Sequence, residues 1–382
     1  MTGVYLARCR AALLTIGIFT LATVGACNKD TLGPSGSSDT TTFAPPAALE
    51  AIDYTVMGAG KVLFARFDSS NLTGPPYTAD AMYMIDADAK TSTLVADLSK
   101  DLLLYPALSP RGDAILGHRW TDNTSCYDVY SRPLSGTTWT RLTSEACNYE
   151  SAASWTPDGS GIVYLSGVYN VARWGLFEQS VTTATNTAVR TFALATNAFE
   201  CPNSPDVTSS HAYGAPSKSS TGAYAYWCVP SYTPMAIVTV GPPPASTVAT
   251  FLATNLYNSL YSPTWSPDGA QLAYLEVTVF SASTSSPTQS VQVDVVVVDY
   301  PAGTRRVVAS HAGIIVNYGL SINYSACWLS GGKALVFTAP DSGTAGSVRA
   351  SSSLFVTRAD GSGVRRLTAG KDAHDNSVTC SR

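Results

Sequence analysis

Apolar and polar residues alternate in short runs along the chain, at the period of two that half-buried β-strands show. Six runs that follow turn-forming residues are the clearest: residues 61–67, 114–120, 161–166, 222–228, 271–277 and 333–338. A further run comes after each of them: residues 82–86, 127–132, 176–180, 236–240, 293–299 and 354–358. Long amphipathic helical patterns are hard to find, so the sequence predicts an all-β protein.

Two near-identical pentapeptides precede the third and fifth of the first runs. Residues 155–159 read Trp-Thr-Pro-Asp-Gly and residues 265–269 read Trp-Ser-Pro-Asp-Gly. Proline presets φ, aspartate bonds to the turn backbone and glycine accepts a positive φ, so each pentapeptide predicts a tight turn. Asp158 and Asp268 are therefore predicted to cap their own turns rather than to act as catalytic carboxylates.

Six units with four strands each, at a period of about 45 to 60 residues, are typical of a β-propeller. Residues 263–269 with the Leu-Ala-Tyr at 272–274, and residues 354–361 leading to Arg-Arg-Leu-Thr at 365–368, resemble the TolB-type, WD40-like propeller repeat. The resemblance implies an all-β fold, a six-bladed β-propeller of four-stranded antiparallel blades, over residues 51–382. TolB has an extra N-terminal α/β domain, whereas this sequence has a lipobox and a tether before the propeller. TolB's role is therefore not carried over.

The two chain ends compete for one strand of the ring. Residues 377–381 lie where a seventh innermost strand would begin, and could supply the first strand of blade one. Residues 54–57 are the alternative. We expect the C-terminal strand to close the ring, because joining the two chain ends removes unpaired sheet edges.

The N-terminus has the order of a secretory signal. Arg8 and Arg10 precede an apolar run over residues 11–24, and the closing Val-Gly-Ala-Cys27 resembles the lipobox of bacterial lipoproteins. We predict a signal peptide over residues 1–26, lipidation of Cys27 and a flexible tether over residues 27–50. An ordinary signal peptide with an incidental cysteine is the alternative. Because Asn28 replaces the aspartate of inner-membrane retention signals, we expect an exported protein anchored at the outer membrane, on its periplasmic side or at the surface.

Charge excludes one class of partner. The 382 residues carry a formal net charge of −4, and 13% of them are charged. No basic patch is evident, so we expect no nucleic-acid partner and a monomer attached to the membrane through its N-terminal lipid.

Six cysteines remain after the signal peptide and the lipidation site: Cys126, Cys147, Cys201, Cys228, Cys327 and Cys380. An even number in an exported chain favours three disulfides, and the absence of any Cys-x-x-Cys pair argues against structural zinc. Six cysteines allow 15 connectivities. Propeller geometry brings neighbours in sequence to the same region, so we predict sequential pairing, with the last bond closing the ring.

Candidate chemistry falls on one face of the predicted propeller, where first strands begin, second strands end and blades are connected; we call it the upper face. All four histidines are placed near it: His118 at the end of a second strand, and His211, His311 and His374 in loops between blades. Since no paired spacing supports a shared ion, no metal or other cofactor is predicted. Tyr261 and Tyr324 are placed at the channel mouth, where they either stack on a sugar or peptide or pack between blades, with packing preferred.

Two classes of function stay open. The preferred one is a non-catalytic, lipid-anchored binding or scaffold protein whose upper face engages a protein, peptide or glycan of the envelope. The alternative is a metal-assisted carbohydrate-active lyase or hydrolase, which requires at least three of the histidines to converge on one point. No Gly-x-Ser-x-Gly elbow supports serine hydrolase chemistry.

Overall fold

The computed structural model describes residues 52, 54–68, 81–97, 104–120, 127–143, 148–150, 153–168, 173–182, 186–192, 211–229, 236–241, 248–252, 258–280, 288–316, 324–341, 351–368 and 373–381. The predicted signal peptide and tether lie outside these residues. Within them, no helix is both long enough and apolar enough to cross a membrane.

The described strands form antiparallel blades arranged as a six-bladed β-propeller. Blade one consists of β25 (Ala373–Cys380), β1 (Lys61–Asp68), β2 (Ala81–Asp86) and β3 (Thr91–Asp97). Blade two consists of β4 (Leu104–Leu108), β5 (Ala114–Trp120), β6 (Tyr127–Pro133) and β7 (Thr140–Arg141). Blade three consists of an interrupted first strand, β8 (Asn148–Glu150) and β9 (Ser154–Trp155), followed by β10 (Gly161–Val168), β11 (Arg173–Ser180) and β12 (Asn186–Phe192).

The second half of the chain supplies the other three blades. Blade four consists of β13 (His211–Lys218), β14 (Tyr224–Val229), β15 (Ala236–Val240) and β16 (Val248–Leu252). Blade five consists of β17 (Asn258–Trp265), β18 (Gln271–Phe280), β19 (Thr288–Asp299) and β20 (Arg305–Val316). Blade six consists of β21 (Ala326–Trp328), β22 (Ala334–Pro340), β23 (Ser352–Arg358) and β24 (Arg365–Arg366).

The C-terminal strand closes the ring, as the sequence predicts. β25 pairs antiparallel with β1, from Val62 opposite Cys380 to Asp68 opposite Ala373, so it is the innermost strand of blade one. The competing segment forms a short 3-10 helix, Tyr54–Val56, instead of a strand. Both ends of the propeller sequence therefore lie in one sheet. β25 completes blade one by pairing with β1, so β1 has no unpaired inner edge.

The hydrophobic core lies between adjacent blades. Along β18, Leu272 and Tyr274 pack in the cluster shared with blade four, whereas Ala273 and Leu275 pack in the cluster shared with blade six. A strand of this kind is buried on both faces, which explains why the consecutive residues 272–275 are all apolar. Each blade depends on both of its neighbours for burial.

The Pro-Asp-Gly turns are structural, as predicted. Thr156 donates its hydroxyl to Asp158 at 2.6 Å, and Asp158 accepts the backbone N–H of Ser160 at 3.1 Å. Ser266 donates in the same way to Asp268 at 2.6 Å. These hydrogen bonds lower the pKa of both carboxyls, to about 2 for Asp158, because they stabilise the charged form. Neither carboxylate is left for catalysis.

Candidate functional site

The histidines are not all where the sequence predicts them. His118 lies near the end of β5, as expected, but His211 begins β13, His374 lies in β25 and His311 lies in the interior of β20. The loop placement of the last three was wrong because the strands extend further than their apolar patterns. Among the described residues, no group of three or more His, Cys, Asp or Glu side chains is placed to hold a metal.

His118 is a structural residue. Its side chain is buried, and its Nε2 accepts the backbone N–H of Ala153 in blade three at 3.0 Å. Burial lowers the pKa of the imidazole to about 4, so the ring is neutral at physiological pH and can act as this acceptor. His118 therefore joins blade two to blade three and does not present a base to solvent.

His311 is also held between blades. Its ring lies 4.1 Å from that of Phe355 in blade six and is hydrogen-bonded to the backbone carbonyl of Pro340. Desolvation lowers its pKa, against the opposing effects of the Pro340 bond and of Asp341. His118 and His311 belong to blades two and five, which are opposite each other in a ring of six. The side chains of His211 and His374 are outside the described part of the chain.

Tyr261 and Tyr324 pack between blades, which agrees with the preferred alternative. Tyr261 lies 5.5 Å from Tyr324 and 5.7 Å from Trp227, measured between ring centroids. Tyr324 is buried in the cluster between blades five and six, and Tyr261 packs against it. Burial raises the pKa of both hydroxyls. Neither residue presents an open aromatic surface.

One disulfide lies within the described residues. Cys327 in β21 is bonded to Cys380 in β25, with their Cα atoms 5.5 Å apart, so it links blade six to blade one as predicted. Cys126, Cys147 and Cys201 lie outside the described residues, and for Cys228 only the backbone is described. The other two pairings stay predictions.

A recurrent irregularity marks the innermost strands. The register of pairing shifts within the first strand of blades one, two, four and five. In blades one, two and five, the residue at the shift has a positive φ: 53° at Ser377, 49° at Tyr105 and 53° at Ser262. Tyr105 and Ser262 each lie four residues before the residue that opens the first turn of the blade, and Ser377 lies four residues before Ser381, whose N–H donates to Lys61 as the turn residues donate to theirs. We call the residues at this position the bulge ring: Tyr105, Ala152, Ala215, Ser262, Ser325 and Ser377. Ala152 lies outside the described residues.

Two serines of the bulge ring connect their blade to the next. Ser262 Oγ accepts the backbone N–H of Ala326 at 3.2 Å, and Ser325 Oγ accepts that of Val378 at 2.6 Å. In blades two, four and five, the residue at the position of Ala326 and Val378 is a proline. Proline has no backbone N–H and so needs no acceptor: these residues are Pro106, Pro216 and Pro263. At this level of the channel wall, the backbone donor is either capped by the preceding blade or absent.

Blade two departs from this arrangement. The N–H of Ala153 in blade three needs an acceptor, but the preceding bulge-ring residue is Tyr105 rather than serine. His118, from the strand next to Tyr105, accepts this N–H instead. Tyr105 is 45% exposed, and its ring meets that of His118 edge to face at a centroid distance of 6.1 Å. It is the one large side chain in the bulge ring, the other members being alanine or serine.

The sequence reasoning missed Tyr105 although a signal exists. Leu104-Tyr105-Pro106 aligns with Tyr261-Ser262-Pro263, but blade two lacks the tryptophan and Pro-Asp-Gly that mark the register in blade five. Aligning the six first strands from their turns would have shown a tyrosine where the others carry serine or alanine.

Comparison with known proteins shows the fold alone. No family model matches the chain, and no curated protein matches it. TolB from Acinetobacter baumannii has a similar structure, with a TM-score of 0.56 and 16% identity over 84% of this chain and 66% of that chain. The chain thus spans just under two thirds of that TolB's length.

Two further solved structures match the chain less closely. A chain of a nidogen/laminin complex matches with a TM-score of 0.50 and 11% identity, over 84% of this chain and 98% of that chain. An oligogalacturonate lyase in complex with manganese matches with a TM-score of 0.45 and 12% identity, over 84% of both chains.

Proposed function

We propose that the mature protein is a non-catalytic binding or scaffold module of the bacterial envelope, anchored by lipid on Cys27, whose upper face and channel mouth engage a protein, peptide or glycan. The observation that carries this proposal is the role of His118, a candidate base at the upper face. It accepts the N–H of Ala153 and is buried and neutral. A group committed to the backbone in this way is not placed to transfer protons.

The fold likeness supports the same class of function. TolB and a chain of a nidogen/laminin complex have the same architecture, and the second was crystallised in a protein–protein complex. A propeller offers a rigid ring of blades on which side chains at the upper face can be displayed. Because a fold does not determine a function, the argument depends on the residues at the face.

Lipid anchoring has its own test. Mass spectrometry of the mature protein purified from membranes should find an N-terminal peptide that begins at Cys27 and carries a diacylglyceryl group. The Cys27→Ala variant should lose this mass and leave the membrane fraction. An N-terminus elsewhere, or an unmodified Cys27, would contradict the anchor without affecting the propeller.

The binding function is tested by photo-crosslinking in intact cells. A photoreactive amino acid placed at Phe280, at the upper end of β18, should capture a discrete envelope component. The same photoreactive amino acid placed at Val364, which precedes β24 on the face opposite the upper face, should not. The competing hypothesis, a metal-assisted lyase or hydrolase, requires stoichiometric metal in the purified protein and cleavage of a polysaccharide. Finding both would overturn the non-catalytic proposal.

A further inference from the structure

We infer that Tyr105 is a ligand-contacting residue of the channel, where its ring stacks against a sugar unit of an uncharged glycan; this rests on the proposed binding function. Three independent features of Tyr105 support the inference: its backbone conformation, its exposure and the replacement of its structural role by His118.

The backbone at Tyr105 is strained. Its φ of 49° lies in the left-handed region, which is unfavourable for a bulky L-residue. The next residue is Pro106, and a residue before proline prefers an extended conformation. Glycine would adopt this conformation without the steric penalty of a Cβ. Ser262 and Ser377 have the same positive φ, so the conformation belongs to the bulge, and in blade two it carries a bulky side chain.

The side chain of Tyr105 is more exposed than its aromatic counterparts in blades five and six. Tyr105 is 45% exposed, whereas Tyr261 and Tyr324, its aromatic counterparts one residue earlier in blades five and six, are packed between blades. His118 lies edge to face with the Tyr105 ring and limits its orientation. An exposed aromatic ring held in one place is the arrangement that stacking on a flat ligand requires.

Because Tyr105 stands where other blades have serine, a second residue must cap the N–H of the next blade. In blades five and six, serine at this position caps the N–H of the next blade. Tyrosine in blade two leaves this task to His118, which must be buried and kept neutral to accept from Ala153. Strain at one residue and a buried histidine at another are both consistent with selection for binding rather than for stability.

The chemistry of the bulge ring favours an uncharged glycan over an acidic glycan or a peptide. The ring carries tyrosine, alanine and serine and no charged side chain, and the protein's net charge of −4 disfavours anionic polymers. An extended peptide is recognised chiefly by unpaired backbone donors and acceptors. At this level, the donors are capped by Ser262, Ser325 and His118 or replaced by proline. Stacking on Tyr105, with serine hydroxyls nearby, suits the face and hydroxyl groups of a sugar.

The experiment measures binding of four neutral hexasaccharides, made of glucose, galactose, mannose or N-acetylglucosamine, by isothermal titration calorimetry. Hexagalacturonate and a hexaproline peptide are the acidic and peptide counterparts. The full-length lipidated protein is used in a detergent that contains no sugar. We expect binding of at least one neutral hexasaccharide, which Tyr105→Gly weakens roughly tenfold or more and Tyr105→Phe changes by less than about threefold.

Stability and a matched variant separate a contact from a folding defect. The thermal midpoint of Tyr105→Gly should equal or exceed that of the wild type, because glycine relieves the positive φ. Leu94→Ala removes another large apolar side chain, 52% exposed in β3, and should leave hexasaccharide affinity unchanged. Equal losses in Tyr105→Gly and Leu94→Ala would overturn the assignment to Tyr105.

The remaining outcomes distinguish this inference from the proposed function. Unchanged affinity in Tyr105→Gly, or binding of only hexagalacturonate or hexaproline, overturns the inference. Absence of any hexasaccharide binding also overturns it, while the binding function still stands if photo-crosslinking captures an envelope component. If neither experiment finds a partner, both proposals fail.

Discussion

Cys380 in blade one occupies the strand position that Trp328 occupies in blade six, near the end of the innermost strand. Trp328 Nε1 donates to the carbonyl of Thr264 in blade five at 3.1 Å, and Cys380 is bonded to Cys327 at the position of Thr264. Between blade six and β25 the disulfide therefore takes the place of an indole hydrogen bond such as that of Trp328. The bond anchors the closing strand β25 to blade six, and strand pairing joins β25 to β1.

Removing this disulfide should loosen the closing strand β25 from blade six. We expect Cys327→Ala/Cys380→Ala to lower the free energy of unfolding by about 2–4 kcal/mol, because the bond constrains the unfolded chain across 53 residues. Denaturant titrations of both proteins, with and without reductant, measure the effect. Reductant should destabilise the wild type more than the double variant, which has already lost this bond. A double variant as stable as the oxidised wild type would show that the bond does not stabilise the protein.

A buried ion pair joins the two strands that come from opposite ends of the propeller sequence. Arg66 in β1 donates to both carboxylate oxygens of Asp375 in β25, at 2.6 and 2.8 Å. We expect Arg66→Met to cost about 3–5 kcal/mol of stability, because it leaves a buried carboxylate without its partner. The Arg66→Met/Asp375→Leu double variant should be more stable than Arg66→Met alone.

A surface ion pair provides the control for this measurement. Arg306 and Asp299 are 2.8 Å apart, but both side chains are more than a third exposed. Arg306→Met should therefore change the free energy of unfolding by less than about 1 kcal/mol. If the changes in the free energy of unfolding caused by Arg66→Met and Asp375→Leu simply add in the double variant, the two side chains do not stabilise each other.

The sequence predicts the propeller well because each second strand is buried on both faces and is preceded by a turn. Residues 114–120, for example, coincide with β5, and the turn glycine Gly159 has a φ of 71°. Local chemistry decides these elements, so local patterns reveal them. The closing strand was also predictable, because β25 is required to leave no edge.

Contacts between blades limit what the sequence can reveal. In blade five the sequence pattern alone does not show where the fourth strand ends, and β20 continues to Val316. In the extension, Gly313 lies against blade six so closely that a Cβ would come 2.5 Å from the carbonyl oxygen of Pro340. Only the neighbouring blade explains this glycine and the strand position of His311. The exposure of Tyr105 likewise depends on His118 capping Ala153, a contact between blades that no repeat pattern contains.

The burial of His118 should make stability depend on pH. Its pKa is lowered from 6.5 to about 4 in the folded protein, so the unfolded chain binds more protons between these values. Stability is fully present above pH 6.5 and declines as the pH falls to about 4, by about 3 kcal/mol in total. Denaturant titrations across this range should show a shallower dependence in His118→Gln, which does not titrate. Parallel curves for the two proteins would contradict a neutral buried imidazole.

The other four structural cysteines have a defined expected pairing. Peptide mapping of the exported protein under non-reducing conditions should identify Cys126 joined to Cys147 and Cys201 joined to Cys228, together with the Cys327–Cys380 bond. Each predicted pair closes a loop on the upper face and should restrain it. Cross-linked peptides that combine the two pairs, or free thiols at any of the four, would show the sequential pattern to be wrong.

The Pro-Asp-Gly turns should affect stability and not binding. We expect Asp158→Ala to cost about 0.5–1.5 kcal/mol, because the hydroxyl of Thr156 and the N–H of Ser160 lose their acceptor. Asp268→Ala removes the equivalent acceptor of Ser266 and should behave alike. The pKa of Asp158 is lowered, so its contribution is present above pH 3.8 and disappears as the pH falls towards about 2. Both turns lie on the face opposite Tyr105, and affinity for a captured glycan or protein should be unchanged in either variant. Loss of binding with normal stability would move the functional surface to the face that carries these turns.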